Sequence, residues 1–200
     1  MGSFPLRSAA AVACILSLAS CASAIVAGSA ATLGVGVAQE RSTRDALTDL
    51  ETQVAINNAL LNESAALFSS VNIGVSEGRV LLTGSAPSPE ASVRAVEIAR
   101  AQAGTREVIN EMSLQGRGYQ GAAKDAWIGA QVRGALLAEA GRDSIDVNVE
   151  VYDGVVHLIG VARTRAVIER AARAAASVDG VTRVVSHMLT FDDPRRGRPA

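Results

Sequence analysis

The sequence predicts an α+β protein made of two tandem small domains. Each is a three-stranded mixed sheet packed by two helices, in the order helix, strand, strand, helix, strand. Three observations predict this. The chain repeats itself without a gap at an offset of 76 residues. Each copy holds a stretch of alternating apolar and polar residues around a glycine. Segments with apolar residues at helical spacing flank each such stretch.

The repeat is read residue by residue. Ala59-Leu60-Leu61 returns as Ala135-Leu136-Leu137, and Val71-Asn72-Ile73 as Val147-Asn148-Val149. Gly78, Val80, Leu82 and Gly84 return as Gly154, Val156, Leu158 and Gly160. Arg94-Ala95 returns as Arg170-Ala171, Gly104 as Gly180, Val108 as Val184 and Met112 as Met188. The copies occupy residues 44–115 and 121–190, joined by a Gly-rich linker at 116–120.

The first helix of the first copy carries Leu47, Leu50, Val54 and Leu61 at helical spacing, read as its buried stripe; in the second copy Ile128, Val132 and Leu136 have this role. Ile73 and Val75, then Val80 and Leu82, alternate with polar residues as a half-buried hairpin does. The hairpin turns are Ser76-Glu77-Gly78-Arg79 and Tyr152-Asp153-Gly154-Val155, where glycine supplies the positive φ a tight turn requires. A second helix spans about Pro89 to Ala103 and about Arg165 to Val178. Pro89 suits a first turn, and Gly104 and Gly180 stand where a helix stops. A last strand, Glu107 to Leu114 or Thr182 to Thr190, closes each copy.

Composition narrows the function. Hydrophobic residues make up 48% of the chain and aromatics 3%, so the cores are aliphatic. A formal net charge of −1 gives no basis for general nucleic-acid binding. The two cysteines, Cys14 and Cys21, build neither a disulfide framework nor a four-ligand zinc site.

Both cysteines lie in a targeting segment. One positive charge, Arg7, precedes an apolar run from Ala9 to Leu18, too short to span a bilayer, which takes roughly 20 residues. This reads as a secretory signal over residues 1–20. Leu18-Ala19-Ser20-Cys21 resembles the lipobox of bacterial lipoproteins, in which diacylglycerol is attached to the cysteine and the peptide is cut just before it. Residues 21–43, rich in Gly, Ala and Ser, read as a lipidated tether. Two acyl chains, at about 0.8 kcal/mol per buried CH₂, anchor a protein stably. Ala22 after the cysteine, in place of Asp, favours the outer membrane by analogy with such lipoproteins.

The copies differ in charge and in one aromatic residue. Residues 44–115 hold 5 Arg against 9 Asp and Glu, a net −4; residues 117–190 hold 9 Lys and Arg against 8 Asp and Glu, a net +1. The tail, residues 191–200, carries Arg195, Arg196 and Arg198 and is expected to be basic and disordered. Trp127 aligns with Glu51, about 100° from the apolar stripe. A surface Trp beside Lys124, Gln131 and Arg133 suits a membrane boundary. Packing of Trp127 between the domains is the alternative. The less acidic second copy is the better candidate for an anionic surface, which attracts about 1 kcal/mol per basic residue.

No catalytic apparatus is legible. The glycines punctuate turns and form no phosphate loop. Serine nucleophile elbows and HExxH are absent, and the Asp143, Asp146, Glu150 and Asp153 cluster lacks the spacing of a calcium loop. His157 and His187 have no metal-ligand spacing around them in the chain, and His157 alternates with Val156 and Leu158, so it points away from the core. The expectation is no enzyme, no metal, no cofactor and no small-molecule substrate.

The glycine-centred hairpin, the glycine after the second helix and the closing strand, present twice, resemble the BON domain, named for bacterial OsmY and nodulation proteins. With the lipobox and tether, the chain resembles dual-BON lipoproteins of the outer membrane. That resemblance implies a non-enzymatic protein, lipid-anchored at Cys21 on the periplasmic side. It also implies a role in outer-membrane integrity, with the second domain recognising anionic phospholipid. Lys124, Trp127, Gln131 and Arg133 are the candidate contacts. An envelope-protein partner is the competing reading.

Overall fold

The computed structural model describes residues 43–114, 116, 119–140 and 145–196. The signal, Cys21 and most of the tether lie outside them. Residues 40–200 form one compact unit, within which both copies fold.

In the first copy, helix α1 (Thr43–Glu63) runs through a short helix α2 (Ala65–Ser70), capped by the Ser64 hydroxyl, into the hairpin β1 (Val71–Ser76) and β2 (Arg79–Gly84). Helix α3 (Pro89–Arg100) follows, with Ser88 as its N-cap and proline in its first turn. Strand β3 (Glu107–Asn110) then pairs parallel to β2, giving the order β1-β2-β3. The second copy repeats this as α4 (Tyr119–Ala140), β4 (Ile145–Tyr152), β5 (Val155–Ala162), α5 (Arg165–Ala176) and β6 (Arg183–Ser186). A two-residue strand β7 (Leu189–Thr190) adds to β5, so this sheet has four strands. The second helices end at Arg100 and Ala176, before Gly104 and Gly180, because a further turn intervenes. Among the described residues no helix is long and apolar enough to cross a membrane.

The two hairpins turn alike. Glu77 and Gly78, and Asp153 and Gly154, have φ of 52° and 72°, and 50° and 72°, the paired positive values of a type I′ turn. A carboxylate from the first helix clamps each turn. Asp49 accepts the amides of Glu77 (2.7 Å) and Gly78 (2.8 Å), and Asp125 accepts those of Asp153 (2.7 Å) and Gly154 (2.9 Å). A Cβ on Gly78 would stand 2.5 Å from the Gly104 carbonyl oxygen, so only glycine fits that close approach.

Two aliphatic cores result. Ile56, Leu60, Val80, Leu82 and Ile98 anchor the first, and Ile128, Val132, Leu136, Val156 and Leu158 the second. This corrects one expectation. Leu47, Leu50, Val54 and Leu61 lie on the outside of α1, between 48% and 55% exposed. The buried stripe is Asp49, Thr52, Ile56 and Leu60, which is position for position that of Asp125, Ile128, Val132 and Leu136. Two of its positions are polar because Asp49 clamps the turn and the Thr52 hydroxyl lies 3.2 Å from the Ala103 carbonyl oxygen. Hydrophobicity alone therefore selects the wrong flank.

The second faces of the sheets are buried too. Leu81 and Thr83 alternate with core residues and still exclude solvent; Ile159 and Val161 do the same in the second copy. They are covered because β1 and β2 pack on β4, and β1 on β5. A Cβ on Gly74 would lie 3.3 Å from Ile159 Cγ2. The free edge of β1 is blunted by side chains: Gln53 donates to the Ile73 carbonyl (2.7 Å) and Asn148 to that of Val75 (2.6 Å). Sheets thus meet face to face, and the helices stand on opposite outer sides.

The tail, expected to be disordered, is ordered through Arg196. Arg196 is 2% exposed and forms a bidentate pair with Glu77 at 2.6 and 2.9 Å. It also donates to the Phe191 carbonyl and stacks over that ring at 4.6 Å. Arg106 donates back to the Arg196 carbonyl at 2.6 Å. A buried, bidentate, π-stacked guanidinium fixes its segment in a way composition does not reveal. Arg195 pairs with Asp193 at 2.8 Å, so the basic charge of the described tail is largely matched; residues 197–200 lie outside the described residues.

Candidate membrane-facing site

The sequence-selected residues sit on α4, whose inner stripe is pinned by Asp125, Ile128, Val132 and Leu136. At about 100° per residue, Lys124, Trp127 and Gln131 fall within an arc of about 60° on one outer flank. All three are exposed, and Trp127 is 52% exposed. Trp127 is therefore not packed between the domains, which meet through the sheets on the other side. The Lys124 stem runs along the turn at Gly180, its Cε 3.3 Å from where a Cβ there would lie.

Arg133 does not join them. It lies about 180° around the helix from Lys124. Its Nη1 is 3.0 Å from the position of a Cβ on Gly129, beside Val151. There it faces Glu150, whose carboxyl is pushed above the usual range by burial, an effect that the Arg133 charge opposes. The site is thus an indole, an ammonium and an amide on one outward stripe. Such a stripe can set an aromatic ring at a headgroup boundary and a cation against phosphate.

A second constellation forms at the seam. Glu111, His157 and His187 each bring one ligand atom within 4.8 Å of the others. Burial holds the His157 imidazole below its ordinary pKa, while Glu111 pulls the other way. Local spacing could not reveal this trio, since its members are 46 and 30 residues apart. The signal available was the repeat alignment, which sets Glu111 and His187 at equivalent positions.

Comparison with known proteins places the chain. BON domains match at residues 48–116 and 124–190. The chain belongs to the BON-domain family. An uncharacterized protein from the gshII 5′ region of Anaplasma centrale is 32% identical over 144 residues, covering 71% of this chain and 94% of that one. The outer membrane lipoprotein DolP of Haemophilus influenzae is 27% identical over 177 residues, covering 88% and 91%. A 21 kDa hemolysin of Actinobacillus pleuropneumoniae is 34% identical over 140 residues, covering 68% and 70%. The two matched segments contain the two sheets, so the repeat in the sequence is a repeat of BON domains.

Proposed function

We propose that this protein is a non-enzymatic envelope component, lipid-anchored at Cys21 to the periplasmic side of the outer membrane. Its second BON domain binds anionic phospholipid and so supports membrane integrity. The observation that carries this reading is the exposed Lys124–Trp127–Gln131 flank. There Trp127 is 52% exposed, and an indole, apolar in body and polar at its N–H, suits a headgroup boundary. The net +1 of the second copy, against −4 in the first, favours an anionic surface over that flank. Similarity to an outer membrane lipoprotein over 88% of the chain supports the location.

The test uses the fragment from Glu40 onward, which contains both cores and lacks the lipidated cysteine. Trp127 is the single tryptophan, so its emission reports one site. Titration with vesicles containing phosphatidylglycerol is expected to shift emission to the blue. High salt should abolish the shift, Trp127→Glu should abolish co-sedimentation, and phosphatidylcholine vesicles should give neither. An unmoved spectrum without co-sedimentation would remove lipid recognition and leave the acyl anchor as the membrane contact. The anchor is tested separately: Cys21→Ala in the full chain should release it from the membrane fraction.

A second reading has its own observation. Leu47, Leu50, Val54 and Leu61 form an exposed apolar stripe on α1, on the outer side opposite α4. A protein partner in the envelope would bind there, leaving α4 for lipid. Crosslinking from position 50 distinguishes this from a purely lipid-directed protein.

A further inference from the structure

We propose that Glu111, His157 and His187 form a divalent transition-metal site, of zinc type, that clasps the two BON domains together. The ligand atoms converge within 4.8 Å, and His187 Nε2 stands 3.1 Å from Glu111 Oε1. That pair falls close to the edge of a zinc tetrahedron, about 3.3 Å for bonds near 2.0 Å. It lacks the angle of a hydrogen bond, and neither His187 Nε2 nor His157 Nδ1 has a hydrogen-bond partner. His157 is only 3% exposed, and an unpartnered buried imidazole nitrogen costs free energy that a bound cation would recover.

The backbone holds the ligands in place. Glu111 donates its amide to the Leu82 carbonyl at 2.8 Å, and His187 donates to the equivalent Leu158 carbonyl at 2.7 Å. The repeat thus sets the two at matching strand ends, where face-to-face packing brings them together. His157 lies mid-strand between Glu150 and Val185 partners. Arg79 donates to the His187 carbonyl at 2.7 Å while paired with Glu107, so its charge is offset. Arg183, the other nearby cation, is exposed and screened.

The donor set selects the metal. Two imidazoles and one carboxylate suit zinc and its neighbours, whereas calcium and magnesium require oxygen cages. Three protein ligands leave a fourth position for water. Glu111 comes from the first copy and both histidines from the second, so metal binding would stabilise the seam by mass action.

The experiment is zinc titration of the full chain in detergent, carrying Cys14→Ser and Cys21→Ser so that no thiolate competes. Calorimetry should give saturation at one equivalent. Co(II) in place of zinc should give the strong visible bands of a four-coordinate ion, and the melting temperature should climb with zinc concentration. Magnesium should do none of this. His157→Leu places in the second copy the residue that the first carries at Leu81, and it should lose uptake, cobalt bands and thermal shift together. Glu111→Gln, a half-exposed change, should lose them too and decides the matter if the leucine variant fails to fold. Absent saturation in the parent chain, or uptake unchanged in Glu111→Gln, would overturn the proposal.

Discussion

The first and second copies share the devices that fix their hairpins and seat their first helices, and differ in what they show to the outside. Asp49 and Asp125 clamp equivalent type I′ turns with nearly equal distances. The buried positions of α1 and α4 coincide at an offset of 76. On the outer faces α1 presents Leu47, Leu50 and Val54, where α4 presents Ala123, Ala126 and Ala130; α4 in turn has Trp127 where α1 has Glu51. On the seam side His157 replaces Leu81 and His187 replaces Glu111. Duplication therefore kept the residues that satisfy buried amides and close glycine contacts. It diversified the surfaces, which fold equally well with many side chains.

The largest way to break this symmetry is through the tail, since only the second copy reaches across to clasp the hairpin of the first. Arg196→Ala leaves Glu77, 7% exposed, without its buried partner and should cost about 3–5 kcal/mol in urea unfolding. A loss below about 1 kcal/mol would mean that water enters and solvates Glu77. Next in size, Asp49→Ala and Asp125→Ala each strand two turn amides and should cost about 1–3 kcal/mol. The clamps are equivalent, so the two losses should agree. A large inequality in the same unfolding assay would show that the copies depend on their turns differently.

Smaller changes sharpen the contrast. Burial raises the Glu150 carboxyl above its ordinary pKa, so its ionised form destabilises the fold once pH exceeds that raised value. Glu150→Gln should therefore raise the melting temperature at pH 7 in EDTA, by less than either aspartate change lowers it. The gain should vanish as pH falls into the ordinary glutamate range. Smallest in stability are Trp127→Glu and Leu50→Glu, exposed positions expected to move it by no more than about 0.5 kcal/mol. Their effect lies in binding: the first should abolish sedimentation with phosphatidylglycerol vesicles, and the second should leave it intact. Equal loss in both would mean that either helix face meets lipid.

The sequence by itself determined the local elements, the duplication and the family. Those properties rest on short-range physics. Alternation at period two, helical spacing, Gly78 and Gly154 at positive φ, and Ser88 and Pro89 opening a helix all act within a few residues. It offered Trp127 as a surface residue, because the aligned Glu51 marks a solvated position, but left packing between the domains open. The tertiary structure decided the rest. It showed which flank of α1 is buried, because Asp49 and Thr52 answer to groups 28 and 51 residues away. The separation of Arg133 from Lys124 needed no tertiary information, since nine residues at about 100° each carry a helix to its opposite side. The tertiary structure ordered the tail through Arg196 and Glu77, 119 residues apart in the chain. The meeting of Glu111 with His157 and His187 depends in the same way on two sheets packing face to face, and no spacing within one strand encodes it.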